Sequence, residues 1–452
     1  MTSSRLATRT GAFVLLVGLG VAAYRQGGYH EAQHRVLAVG VLVAGATLLV
    51  SRAFSSIRLA ASVVAPLALS TLVSVLAADD RGDAASTVLT VSLVAVALAI
   101  GTSLDEHDRE RTVDALLLVA ALVAATAIWG VASHTGPWGR VTAGVWRGSS
   151  SITYSNAAAA VVGPSALLAF WIALRSAHRR YIVLATLLLI GFAATQSRGG
   201  ALAFALAGCV LVARSDRDTV IRAGLPVTVG IGIGVTPLLV LAPDAATPRP
   251  AFVVASVLVG LVASASIAAV RTRLTRPGVT LIALAVGAVA IGAATGIASA
   301  VSTRLTLRSG TTAEGPSANV LFGDRAQVWE TAWDRFLDAP LIGHGPGNVD
   351  LRWTQDGRTF EAEFVHNEFL ELAVTHGVLG VVAFVLAVLI AVRHWRRDDL
   401  SAGVALCVAT FLVHSSVDFL WHVPLLPVFF GLCVGLALSP PMSASSSAAA
   451  RD

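Results

Sequence analysis

Apolar residues in this chain are gathered in runs of 15 to 24 positions, separated by short polar punctuation rather than alternating with it. Read with a window of about 19 residues, the runs fall at 10–24, 36–50, 59–77, 84–103, 113–131, 152–174, 181–196, 199–213, 223–242, 251–270, 279–301, 369–392, 400–417 and 424–439. A helix of roughly 20 apolar residues crosses the hydrocarbon core of a bilayer. The pattern therefore predicts an all-α, polytopic integral membrane protein with about 12–14 transmembrane helices. The first run is short, and Arg5, Arg9 and the Val21-Ala22-Ala23 ending are features of a secretory signal. With so many spans following, a retained helix is the expected reading. Residues 440–452, rich in Ser and Ala, read as a disordered tail.

Composition sharpens this. Of 452 residues 55% are hydrophobic and only 13% charged, with a mean hydropathy of +0.76. Globular domains carry about 25% charged residues, so an ordinary soluble enzyme is excluded, as are a disordered chain and a disulfide scaffold. The net charge of +5 and pI near 9.7 do not imply nucleic acid, because the arginines stand singly or in threes and form no basic stripe. Cys209, Cys407 and Cys433 lie inside apolar runs without metal-ligand spacing and read as small buried hydrophobes.

Arginine placement predicts orientation. With the N-terminus in the cytoplasm and the spans alternating, 19 arginines fall on the inner side and seven on the outer. The long loop, whose translocation is largely indifferent to charge, is left aside. Both termini are then cytoplasmic, and the long segment at about 302–365 faces outward with the turn at 196–200. The domain organisation follows: N-terminal helices over 1–301, an extracytoplasmic loop over 302–365, C-terminal helices over 366–439 and the tail over 440–452. Acidic residues are nearly absent from the spans, except Glu368 and Glu371 at one outer mouth, where His376 follows. An intramembrane charge costs roughly 2.5–3.5 kcal/mol on insertion scales and usually marks an ion path. The distribution argues for a site at the outer interface.

Chemistry-bearing residues cluster there. Residues 325–338 form an amphipathic pattern, with Val328, Ala332 and Phe336 spaced at four and Trp329, Trp333 and Leu337 alongside, as in a helix lying on a membrane surface. Pro340 and glycines 343, 345 and 347 end it. His366-Asn367-Glu368 follows at the point of membrane re-entry; a histidine there serves as a cap, an interface anchor or a general base that Glu368 or Glu371 would orient. In Gln196-Ser197-Arg198-Gly199-Gly200, the glycines permit close backbone approach, and Arg198 either snorkels to headgroups or clamps phosphate. Thr153-Tyr154-Ser155-Asn156 opens a span as a helix cap would. His414 and Asp418, at i and i+4 with His422 beyond, suit helix–helix hydrogen bonding better than a metal.

Q-S-R-G-G at 196–200, the stretch from Arg325 to Gly347 ending P-L-I-G-H-G-P-G, H-N-E-F-L-E-L-A-V-T-H-G-V-L-G from His366, and H-S-S-V-D at 414–418 occur in this order. The set resembles the O-antigen ligase and polymerase superfamily of membrane glycosyltransferases, over roughly 150–435. The resemblance implies a GT-C-like membrane fold and metal-independent, inverting transfer of a glycan from undecaprenyl diphosphate to an acceptor hydroxyl on the outer face, without a cofactor. It assigns the diphosphate to Arg198 and Arg325 and catalysis to His366. Gly199, Gly200, Asn156, Asn367 and Glu368 join these as substrate-binding candidates. The implied partners are the undecaprenyl-diphosphate-linked donor, a saccharide, wall-polymer or protein acceptor, and the bilayer. Two other readings stand beside it. One is a transporter or flippase of lipid-linked glycan or a small anion, which needs a polar path and internal repeats. The other is a metal-dependent transferase using Asp79 or Asp80.

Overall fold

A computed structural model of the chain describes residues 3–78, 84–142, 144–176, 178–270, 325–349, 351–355 and 358–439. Asp79, Asp80, the expected span at 279–301, the loop before Arg325 and the tail lie outside the described residues. The other 13 apolar runs are helices. They are α1 (Ser3–Tyr24), α2 (Glu31–Val50), α3 (Phe54–Ala77), α4 (Ala84–Ser103), α5 (Glu106–Ser133), α6 (Ser155–Ser176) and α7 (Arg179–Thr195). There follow α8 (Arg198–Ala213), α9 (Arg217–Leu241), α10 (Pro250–Val270), the amphipathic α11 (Arg325–Asp338), α12 (Glu368–Arg393), α13 (Asp399–Ser415) and α14 (Leu425–Ala437). Among the described residues nine helices are long and apolar enough to cross a membrane, and α8, α13 and α14 are shorter apolar helices. The protein is an all-α, multi-pass membrane protein.

Two short antiparallel hairpins were not expected from the sequence. One joins β1 (Gly139–Thr142) to β2 (Val145–Gly148), the other β3 (Leu351–Gln355) to β4 (Arg358–Ala362). Strands of four or five residues carry little periodic signal, and isolated two-stranded ribbons are marginal without a surface to pack on. Here β2 packs on α5 and α7, while β3 packs on α11.

The centre of the bundle is α6, whose Ala157, Ala158, Ala159 and Ala160 are buried against its neighbours. Small residues let helices approach closely where no water drives their association. The polar ends of the described helices gather at two faces. At one face Arg9 meets Asp108 at 2.7 Å and Arg180 meets Asp114 at 3.1 Å. Buried Arg109 there meets Asp398 at 3.3 Å, and donates to the Leu436 carbonyl at 2.7 Å and the Ser401 hydroxyl at 2.9 Å. The other face collects the α1–α2 turn, both hairpins, α11 and the ends of α7, α12 and α13.

The glycine-rich turn after α11 has a specific seat. Within α12, Gly377 adopts φ 62° and ψ −163°, which interrupts the helix. The break frees carbonyls of Val374 and Thr375, which accept from His344 N at 3.0 Å and Gly345 N at 2.9 Å. It also frees the amides of Val378 and Leu379, which donate to Pro340 O at 2.8 Å and Leu341 O at 3.2 Å. The Ser74 hydroxyl on α3 donates to Ile342 O at 2.9 Å. Irregular backbone at membrane depth is tolerated only when its polar groups are met by protein, and these bonds do that. Gly343, at φ 69°, sits where a Cβ would run into the Thr375–His376 backbone. Beside it, Val328, Ala332, Val349, Leu351, Val365 and Val374 form a small core that fixes α11 and the second hairpin to α12. Trp333 and Leu337 remain exposed on the other side of α11.

Candidate active site

Asp418 organises the second face. The i, i+4 spacing of His414 and Asp418 suggested one helix surface, but α13 ends at Ser415 with Ser416 as its C-cap. Asp418 therefore lies in the loop beyond the helix. Asp418, 1% exposed, accepts from the Tyr154 hydroxyl at 2.6 Å, from the Asn156 amide, and from its neighbour's backbone amide, Phe419 N, at 2.9 Å. Arg325 Nη2 lies 3.5 Å from one carboxylate oxygen, and His366 Nδ1 lies 3.4 Å from the other. Arg325 also donates to the Val417 carbonyl. Burial alone would raise the Asp418 pKa, but the His366 hydrogen bond, the Arg325 charge and the Tyr154 hydroxyl outweigh it and hold it down at about 2. Burial and the neighbouring carboxylate push the Tyr154 phenol well above its ordinary value, so it stays a neutral donor.

His366 is neither a cap nor part of α12. It stands at φ 57°, in the left-handed region that non-glycine residues rarely occupy. Asn367 is the N-cap, its side-chain oxygen accepting from Phe369 N and Leu370 N, both at 3.1 Å. The imidazole packs edge-on against Phe419, with centroids 4.8 Å apart, and Phe419 in turn stacks on Tyr154 and Phe364. A rotated backbone and an aromatic stack thus fix the ring where Asp418 reaches it.

The expectation that Glu368 or Glu371 orients His366 differs from this geometry. Both belong to α12 and are buried, but they turn toward the loop after α13. Glu368 accepts from Trp421 N, while Glu371 pairs with His422 and accepts from Val365 N at 3.1 Å. Burial opposes the protonated form of His422, yet Glu371 and Glu368 raise its pKa to about 9. These carboxylates brace the loop that carries Asp418.

The Q-S-R-G-G turn lies on the same face. Gln196 closes α7 in a left-handed conformation, and Ser197 caps α8 by accepting from Gly200 N at 3.1 Å. Buried His414 lies 3.4 Å from the Ser197 hydroxyl. A Cβ on Gly199 would come 2.7 Å from Val417, and one on Gly200 would come 3.2 Å from the His414 ring. The two glycines therefore bring the start of α8 against the loop holding Asp418, and they leave Arg198 exposed at the rim.

Arg147 of β2 was not singled out in the sequence. Its Nη2 donates to the Asn156 oxygen at 2.8 Å and its Nε to the Thr195 carbonyl at 3.0 Å. Burial lowers its pKa, Tyr154 and Asp418 oppose that shift, and the charges of Arg198 and Arg325 reinforce it. Arg147, Arg198 and Arg325 thus share one field, three guanidiniums to one buried carboxylate. Among the described residues no group of three or more His, Cys, Asp or Glu is placed to hold a metal ion.

Fold and site together define a polytopic helical membrane protein with a cationic, histidine-bearing cluster at one membrane face. Residues 249–385 match the family described as O-antigen ligase, and that match supports a relation of the chain to the O-antigen ligase superfamily. The match spans Arg325, His366 and the break at Gly377; Arg147, Tyr154, Asn156, Arg198 and Asp418 come from outside it. No curated protein and no solved structure matches the chain. The family supports a ligase- or polymerase-like function in general.

Proposed function

We propose that this face is the active site of a glycosyltransferase that moves a glycan from an undecaprenyl diphosphate carrier to an acceptor hydroxyl, with inversion and without a metal. The observation carrying this reading is that His366, Arg325 and Asp418, far apart in sequence, meet within 3.5 Å contacts at a membrane face. His366 takes the acceptor proton while Asp418 holds the ring by Nδ1 and stabilises its charged form. The acceptor oxygen bonds to the anomeric carbon as the bond from that carbon to the diphosphate oxygen breaks. Charge growing on the leaving diphosphate is met by Arg325 and Arg198, with Arg147 behind them. The arginine-rich opposite face supports an extracytoplasmic site and cytoplasmic termini.

Gene deletion followed by envelope analysis tests this. Lipid-linked repeat units that accumulate without long chains indicate a polymerase; long chains left on the lipid indicate a ligase. Complementation with Arg198→Ala or His366→Ala is expected to fail although the protein is present at normal levels. A wild-type phenotype from both variants would overturn the assignment. Orientation is read separately by Thr135→Cys, in an exposed turn beside the first hairpin. A membrane-impermeant thiol reagent is expected to label it in intact cells.

A further inference from the structure

We propose that the open cavity of about 250 Å³ between the α1–α2 turn and residues 137–153 is a saccharide-binding subsite. It holds a sugar of the glycan handled at the neighbouring catalytic cluster, and so rests on the function proposed above. Tyr24, Arg25, Gln26, Gln33, Trp138 and Thr153 line it. A sugar ring offers an apolar C–H face and a rim of hydroxyls, which calls for an aromatic wall beside planar polar side chains. The cavity supplies both. Trp138 meets Tyr24 edge-on, with centroids 6.1 Å apart and planes at 72°, which makes an aromatic corner. Gln33 adds a planar amide to the lining, a group that offers a sugar hydroxyl both a donor and an acceptor. The volume, below the roughly 300–1,000 Å³ of drug-sized sites, suits a short saccharide rather than a polymer or a lipid.

Its position joins it to the site. Thr153 lines the cavity, and the next residue, Tyr154, donates to Asp418. Gln26 N bonds Ser151 O at 3.0 Å, and a Cβ on Gly27 would press on Ile152 and on Val423, in the loop that carries Asp418. Gln26 and Thr153, both in the cavity lining, hold positive φ, of 56° and 65°, backbone strain of the kind that gathers at functional sites.

The probes are methyl glycosides of galactose, mannose, rhamnose and N-acetylglucosamine, read by saturation-transfer NMR on the full protein in nanodiscs. At least one is expected to bind. Trp138→Ala and Gln33→Ala, checked for an unchanged unfolding temperature, are expected to weaken it about tenfold or more, whereas His366→Ala keeps it. In a transfer assay Trp138→Ala is expected to raise KM for the acceptor alone or for the donor alone, which tells which sugar occupies the cavity. No saturation transfer from any glycoside, or binding and both KM values unchanged in Trp138→Ala and Gln33→Ala, overturns the proposal. Binding that holds in a protein with no transferase activity leaves the subsite standing and removes the proposed function instead.

Discussion

Replacing Asp418 with Asn separates a carboxylate that serves the reaction from one that only braces a loop. The substitution keeps the shape and an oxygen for Tyr154, but removes the charge. At 3.5 Å and an effective dielectric of about 20, the attraction between Arg325 and Asp418 is about 5 kcal/mol before desolvation is subtracted. An incoming diphosphate must displace part of it. If relief of that competition returns about 1–2 kcal/mol to donor binding, the donor KM falls about five- to thirtyfold. The imidazole meanwhile loses both its orientation and the anion that stabilises its protonated form. The expected kcat loss is about 10²-fold or more. Because the Asp418 pKa lies at about 2, the carboxylate is ionised throughout a pH 6–8 assay, so its own titration does not enter the comparison. The measurement is glycan transfer from undecaprenyl-diphosphate-linked donor in nanodiscs, with kcat and donor KM resolved and thermal unfolding run alongside. A variant that unfolds earlier yet keeps both constants would reduce Asp418 to a brace. A raised donor KM with intact kcat would refute the competition argument.

Other outcomes follow from the same geometry. Gly377→Ala places a side chain at φ 62° and ψ −163°, a conformation nearly confined to glycine, and forces it against Leu341. A loss of about 1–3 kcal/mol, plus that collision, should appear as earlier thermal unfolding in detergent, and an unchanged unfolding temperature would contradict the seat described for the turn. Arg109→Ala, on the opposite face, removes a buried side chain that donates to the Leu436 carbonyl and the Ser401 hydroxyl and pairs with part-exposed Asp398. A cost of about 1–3 kcal/mol is expected in unfolding scans, with the donor KM of the surviving folded protein unchanged. Because the pKa of His422 is raised from 6.5 to about 9, its pairing with Glu371 stabilises fully below 6.5 and is lost as pH climbs through 9. The unfolding temperature should therefore drop between those values. His422→Gln should flatten that drop, and an identical slope in the variant would place the pH dependence elsewhere.

The fold was legible because a bilayer imposes one simple rule on every span: length and apolarity. Thus the run at 84–103 is helix Ala84–Ser103, and that at 251–270 is helix Pro250–Val270. The amphipathic spacing at 325–338 was equally clear, with Val328 and Ala332 buried as the pattern requires. The site was only partly legible. His366 and Arg198 stand out by residue type and position and Arg325 through the family resemblance, but Asp418 lies beyond a helix that stops three residues before it. Arg147 sits on a hairpin too short to show a period, and looked like one more loop arginine. The partnership of Tyr154 and Asn156 with Asp418 spans more than 260 residues, a distance over which local pattern says nothing. Glu368 and Glu371 illustrate the converse. Proximity in sequence to His366 suggested a contact, but the abrupt turn at His366 sends them the other way.

The turn seated in the gap of α12 gives α11 a mechanical character. Helix α11 has 14 residues, or about 21 Å of nearly rigid rod. The turn at one end is clamped to the break in α12, and the other end presents Arg325. It works as a lever with its fulcrum between the two halves of a transmembrane helix. A shift of those halves against each other would move the rod, and with it the guanidinium that faces Asp418.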